Sequence, residues 1–176
     1  MKHPGRFDAF GVAAHQGVVA GRSDAVELPR VTDLLAPEAG AAEIEYRIVG
    51  AADGAGRPAL KVTLAGSVPL TCQRCLQPFP WPVEQTTLLL LARDEAELAR
   101  LDNEDHEHEV VLADAPLDPL ALVEDELLLT LPFVPRCPEA TCPALRGAVA
   151  APEQQAQSAF GALAELRSVP GRKSPR

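Results

Sequence analysis

Residues 71–79 read TCQRCLQPF, and the rest of the chain is interpreted outward from this stretch. Cys72 and Cys75 are separated by two residues, and a hydrophobic strand pattern leads into them. Prolines at positions 78, 80 and 82 follow at once, so no helix can begin here. The sequence therefore predicts a compact knuckle that carries two thiol groups and is mounted on a β-sheet.

Alternating apolar and polar residues on both sides of the knuckle predict β-strands. Residues 43–49 alternate with one polar face, residues 59–68 form the clearest strand, and residues 83–92 return as a leucine-rich strand. Turn residues at 53–58 favour an antiparallel hairpin between the first two strands. The knuckle is thus expected at the turn between two strands, whereas residues 1–40 are weakly patterned.

The strongest helix prediction covers residues 118–131. Asp118 is the expected N-cap, Pro119 fits the first turn, and Pro132 ends the helix. The predicted buried stripe consists of Leu and Val at helical spacing (Leu120, Val123, Leu127 and Leu131). The predicted fold class is α+β: an antiparallel sheet with the knuckle between strands, one main packing helix and a flexible C-terminal arm.

A second cysteine pair, Cys137 and Cys142, follows the predicted helix. In a reducing compartment, two close pairs spaced as C-x2-C and C-x4-C indicate a metal site before they indicate disulfides. Four thiolates suit Zn²⁺ in a tetrahedral array, and Arg74 offsets part of their negative charge. Unmetallated thiols and a labile disulfide remain as alternatives. A thioredoxin-like redox site is disfavoured, because such a site opens a helix that the prolines forbid.

The composition argues against several classes of function. A net charge of −9 and a pI of about 4.9 disfavour a broad nucleic-acid-binding surface. The N-terminus carries no apolar run typical of a signal peptide, and no apolar run is long enough to span a membrane, so we expect a cytoplasmic protein. Four cysteines close a metal shell, and no nucleophile or phosphate-loop motif is present, so we expect no enzyme.

Two segments are candidate partner-binding surfaces. Glu124, Asp125 and Glu126 are predicted to fan around the helix as a solvated face, or as a docking surface for a basic partner. The predicted domain organisation is one α+β domain over 1–143, a flexible linker over 144–157 and an amphipathic motif with a basic tail over 158–176. The tail is interpreted either as a disordered end or as a segment that contacts RNA or an acidic protein (Phe160, Leu163, Arg167, Arg172 and Lys173).

Three sequence motifs resemble the YceD family, whose members are described as large ribosomal RNA subunit accumulation proteins. They are CQRCLQPF at 72–79, VEDELLLTLPFVP at 123–135 and AFGALAEL at 159–166, and they include Arg74, Leu76 and Pro132. The resemblance implies a bacterial, non-catalytic ribosome-biogenesis factor that supports 23S ribosomal RNA accumulation. A ribosomal protein or a large-subunit precursor is the implied partner. The alternatives are a zinc-dependent RNA-processing enzyme and a C-x-x-C thiol redox sensor.

Overall fold

The computed structural model describes residues 5–37 and 42–143 of the 176-residue chain. The chain divides into two compact units, Met1–Pro138 and Glu139–Arg176. The described part of the second unit holds the short 3₁₀ helix Glu139–Thr141. The predicted linker over 144–157 and the predicted motif over 158–176 lie outside the described residues.

The first unit is built on a five-stranded sheet. Its strands lie in the order β1-β2-β3-β4-β5 and comprise Val18–Asp24 (β1), Glu43–Ala52 (β2), Pro58–Thr71 (β3), Pro78–Ala92 (β4) and Glu109–Leu112 (β5). Neighbouring strands are antiparallel from β1 to β4, whereas β5 pairs with β4 in parallel. The α+β prediction is confirmed, although the sheet is mixed at its last strand.

The β3–β4 hairpin extends beyond the rest of the sheet. β2 pairs with β3 only as far as Gly66, whereas β3 and β4 stay paired up to Thr71 opposite Pro78. The projecting part carries the Cys72/Cys75 knuckle at its tip, as the sequence predicts. The β3 edge that β2 leaves open is covered near Leu35, which forms an isolated antiparallel bridge with Leu70.

Short helices pack around the sheet. They are Ala9–Ala14 (α1), Pro29–Thr32 (α2), Glu95–Glu104 (α3) and Pro119–Thr130 (α4), with a 3₁₀ helix at Ala25–Glu27. The side chain of Asp118 caps α4 by accepting a hydrogen bond from the Leu120 N–H at 2.9 Å, and Pro119 occupies its first turn. The predicted main helix is therefore confirmed. Among the described residues, no helix is both long and apolar enough to cross a membrane.

One face of the sheet forms the core with α4. Ile48 of β2 and Val62 of β3 lie opposite one another and are fully buried, as are Val123 and Leu127 of α4. The other two members of the predicted stripe, Leu120 and Leu131, are only partly buried. The core consists mainly of aliphatic side chains, in keeping with an aromatic content of only 4%.

Two features depart from the sequence-based expectation. The weakly patterned N-terminal region contributes the edge strand β1, in which Gly21 is required because a Cβ there would lie 2.7 Å from the Tyr46 Oη. β4 begins at Pro78 and not at residue 83. Its prolines are tolerated because β5 pairs with β4 only from Leu89 onward, so the other edge is open at the prolines.

Candidate metal centre

The first cysteine loop is a tight turn between β3 and β4. The Cys72 N–H donates to the Gln77 carbonyl at 3.0 Å, and the Leu76 N–H donates to the Cys72 carbonyl at 2.8 Å. Leu76 closes the turn with a φ of 58°, in the left-handed region that usually favours glycine. These bonds fold the loop back on itself, which brings both thiols to one compact tip.

The segment after α4 carries Cys137 to the same tip. Leu131 leaves the helix in an extended conformation, and the prolines at 132 and 135 prevent the helix from resuming. The Gln73 N–H of the first loop donates to the Pro135 carbonyl at 2.8 Å. A backbone hydrogen bond therefore fixes the two segments to each other two residues before Cys137.

Arg74 joins the two segments a second time. Its guanidinium Nη2 donates to the Cys137 carbonyl at 3.1 Å, while its backbone N–H points at the Cys72 Sγ at 3.4 Å. The predicted role of Arg74 was charge compensation. In the structure it also positions the backbone of the second loop.

The Cys72 sulfur lies among backbone N–H groups. The Cys137 N–H donates to it at 3.3 Å, in addition to the Arg74 N–H. Burial raises the pKa of the Cys72 thiol, but the N–H groups of Cys137, Cys75 and Arg74 stabilise the thiolate, and the net effect lowers the pKa from 9.0 to about 6. A thiolate is the form that binds a metal ion.

The thiol spacing fits a tetrahedral metal ion. The Cys75 and Cys137 sulfurs lie 3.7 Å apart, far beyond the length of a disulfide, which is about 2.05 Å. Four sulfurs at about 2.3 Å from a tetrahedral Zn²⁺ lie about 3.8 Å from one another. The four ligand atoms of Cys72, Cys75, Cys137 and Cys142 lie within 4.8 Å of one another. This is the single such group of three or more His, Cys, Asp or Glu residues within 5–37 and 42–143.

The predicted acidic face of α4 is wrong for two of its three members. Glu124 and Glu126 are buried, and half-exposed Asp125 forms an ion pair with Arg30 at 2.7 Å. Burial raises the pKa of Glu124, but hydrogen bonds and the charge of Arg30 outweigh it, so the pKa lies below its ordinary value. The sequence pattern failed here because α4 packs against both α2 and the sheet, so more than one stripe of the helix is buried.

The net shift of the Glu126 pKa is opposite to that of Glu124. Its residue is 3% exposed, and its Oε2 has no hydrogen-bond partner among the described residues. Burial raises its pKa, and the nearby charges of Glu109 and Asp125 raise it further, against a hydrogen bond with Thr87 that lowers it. Neither Glu124 nor Glu126 is available as a docking face.

The remaining predicted site residues fall into two groups. Phe160, Leu163, Arg167, Arg172 and Lys173 lie outside the described residues, so their role in partner binding stays a prediction. Pro132 and Leu76 flank the thiol tip as parts of its two loops.

One surface feature beside the thiol cluster was not predicted from the sequence. An apolar groove of about 750 Å³ lies between the end of α4, the residues after α2 and the end of β3. The signal for it in the sequence is the apolar run PFV at 132–134, which directly follows the predicted helix.

Together the fold and the site define a small α+β protein with a thiol cluster suited to a metal ion at the tip of its projecting hairpin. The chain belongs to the YceD family: the family model described as "Large ribosomal RNA subunit accumulation protein YceD" matches residues 60–167. This finding confirms the resemblance inferred from the sequence motifs. Comparisons with curated proteins and with solved structures find no match to this chain.

Proposed function

We propose that this protein is a non-catalytic cytoplasmic factor that supports the synthesis, processing or accumulation of large-subunit (23S) ribosomal RNA. The observation that carries the proposal is membership of the YceD family over residues 60–167. The family description names large-subunit ribosomal RNA accumulation. The protein acts by binding a ribosomal protein or a large-subunit precursor.

Zinc is the metal that this donor set fits best. Four cysteine thiolates form a soft, fully occupied tetrahedral shell, which is typical of structural zinc and leaves no open position for a substrate. Cys72, Cys75, Cys137 and Cys142 would hold the ion. When bound, zinc supplies stability and no reaction, because it ties the hairpin tip to the segment that follows α4.

The charge of the first unit favours a protein partner. Met1–Pro138 contains 22 acidic and 11 basic residues, so it repels a phosphate backbone and attracts basic proteins. Ribosomal proteins that bind RNA carry many basic residues, which suits this surface. Contact with RNA is assigned to the tail after residue 166, which contains basic residues and no acidic ones (Arg167, Arg172, Lys173 and Arg176).

A thiol redox sensor is the second candidate. The low pKa of Cys72 and the 3.7 Å spacing of the Cys75 and Cys137 sulfurs both suit reversible oxidation. If the protein is a redox sensor, a peroxide should oxidise two thiols of the metal-free protein to a disulfide with release of water, and a thiol reductant should reverse the change. Stoichiometric zinc in protein purified under reducing conditions would exclude it as the resting state.

The proposed function is tested by removing the gene and measuring ribosomal RNA. We expect less 23S relative to 16S ribosomal RNA, restored by the wild-type protein, and co-sedimentation of the wild-type protein with large-subunit precursors. Restoration by the metal-ligand variant Cys75→Ser should be impaired. An unchanged 23S to 16S ratio in the deletion strain would overturn the proposal.

A further inference from the structure

The apolar groove beside the thiol cluster is a solvent-exposed hydrophobic surface. Its apolar lining includes Leu34, Leu70, Leu129, Leu131, Phe133 and Pro135. Leu34 is 50% exposed, Leu129 is 68% exposed and Phe133 is fully exposed. Contiguous exposed apolar side chains around a concave surface mark an interaction site more often than chance exposure does.

The groove is held in place by backbone hydrogen bonds. Phe133 belongs to the extended segment after α4, and the bond from the Gln73 N–H to the Pro135 carbonyl anchors that segment to the hairpin tip. On the opposite side, the Ala36 N–H donates to the Pro69 carbonyl at 2.9 Å. Because its walls are fixed, the groove needs little rearrangement to accept a ligand, which favours binding.

A ligand in this groove must bind through side chains and not by adding a strand. Leu70 at the floor already pairs with Phe79 on one side and with Leu35 on the other. Both backbone edges of β3 are therefore occupied at this point. An amphipathic helix that places its apolar face into a groove binds in this way, through its side chains alone.

The charge around the groove selects a basic helix. Asp33 is the charged residue in the lining, which contains no Lys, Arg or His. Its side chain has no hydrogen-bond or ion-pair partner among the residues that the structure describes, and the residue is exposed. A Lys or Arg on the ligand would complement both this carboxylate and the twofold excess of acidic residues in the first unit.

We propose that this groove binds a basic amphipathic α-helix of a partner protein. The apolar face of the helix packs on Leu129 and Phe133, and a Lys or Arg of the helix lies beside Asp33. The inference rests on the proposed function, because it assigns the surface through which a protein partner is held.

The test uses the full-length protein and synthetic peptides. The probe is a labelled Leu/Lys peptide of about 18 residues with leucines at i, i+3, i+4 and i+7, and binding is followed by fluorescence anisotropy. One control peptide has the same composition with its leucines spread around the helix. A second control replaces every Lys by Glu and keeps the apolar spacing.

We expect the Leu/Lys probe to bind at least about tenfold more tightly than either control peptide. Phe133→Ser and Leu129→Gln should each weaken binding by about tenfold, because an apolar contact is lost from an exposed position. Asp33→Asn should weaken it by about threefold at low salt and less at high salt. Matched variants outside the groove, Val18→Ser and Asp114→Asn, should bind as the wild type does.

Equal affinity for the three peptides, or unchanged binding by Phe133→Ser, would overturn the inference. A photo-cross-linker at position 133, used in cells, should label a basic helical segment of another protein. Labelling confined to this chain or to a second copy of it would assign a different occupant and overturn the inference.

Failure of the groove and failure of the proposed function are distinguishable. Wild-type protein that sediments with large-subunit precursors but shows no peptide preference refutes the groove and leaves the proposed function standing. Peptide binding that depends on Phe133, with no effect of gene deletion on 23S ribosomal RNA, refutes the proposed function and supports the groove.

Discussion

The carboxylate of Glu124 accepts a hydrogen bond from the backbone N–H of Arg30 at 2.6 Å and a second from its Nε at 2.8 Å. Arg30 is the second residue of α2, a helix of only four residues whose N-cap, Leu28, provides no side-chain acceptor. Glu124 of α4 therefore supplies the cap and the negative charge that the start of α2 lacks. A helix this short depends on such tertiary contacts for its stability.

Replacing Glu124 by Ala should destabilise the protein by about 1 kcal/mol at neutral pH, because a partly buried backbone N–H loses its charged acceptor. The folded-state pKa of Glu124 lies below its ordinary value of 4.5, so this stabilisation is present above pH 4.5 and is lost as the pH falls through the folded pKa. Denaturation at pH 7 and pH 4 measures both effects. Equal losses of stability at the two pH values would contradict the role of ionised Glu124 as the cap of α2. Glu84→Ala, which removes an exposed carboxylate from β4, is the control.

Replacing Glu126 by Gln should stabilise the protein by about 1 kcal/mol at pH 8, because the wild type buries a negative charge near Glu109 and Asp125 and Gln is neutral. The folded-state pKa of Glu126 lies above its ordinary value of 4.5. The wild type therefore gains stability as the pH falls through the folded pKa towards 4.5, where the difference between the two proteins should disappear. Denaturation curves between pH 4.5 and pH 8 measure the difference in stability between the variant and the wild type. A variant less stable than the wild type at every pH would refute the prediction.

Purified protein should contain about one zinc ion per chain, and its removal should lower the unfolding temperature. Cys75→Ser should abolish stoichiometric zinc and cost about 3 kcal/mol or more, because the metal stabilises only the folded state. A chelator should reduce the wild type to the level of this variant and should not affect the variant further. Elemental analysis and thermal unfolding test the prediction, which fails if the chelator leaves the wild type unchanged.

Replacing Leu76 by Gly should stabilise the protein by about 1 kcal/mol, because a left-handed conformation strains Leu but not Gly. Leu76 has a φ of 58° and is 70% exposed, so little packing is lost. Leu34→Gly is the matched control: Leu34 is half-exposed but does not have a positive φ, so this change should destabilise the protein. Thermal unfolding compares the two, and a loss of stability in Leu76→Gly would show that the side chain makes a contact of its own.

Local patterns in the sequence were reliable for the elements that flank the thiols. The alternation of residues 43–49 and 59–68, and the Asp118 and Pro119 signals, each predict an element that the structure contains. These signals depend on neighbouring residues alone. β1 was not predicted because its sequence, VVAGRSD, does not alternate between apolar and polar residues.

The burial of charged residues was not predictable in the same way. Glu124 and Glu126 are polar in sequence, so helical periodicity places them on the solvent side. Their burial is decided by α2 and by the sheet, which pack on α4 from different directions. The partner of Glu124 lies 94 residues away in the chain. No pattern in a short window of sequence contains that information.

The sequence by itself determined the cysteine knuckle, the strands that carry it, the main helix and the family, since all of these depend on residue order and short spacing. Only the tertiary structure decided that the Cys75 and Cys137 sulfurs, 62 residues apart in the chain, lie 3.7 Å from each other. It also decided which carboxylates are buried and where apolar side chains remain uncovered. The reason is physical: local conformation follows from neighbouring residues, whereas proximity between distant residues follows from how whole elements pack.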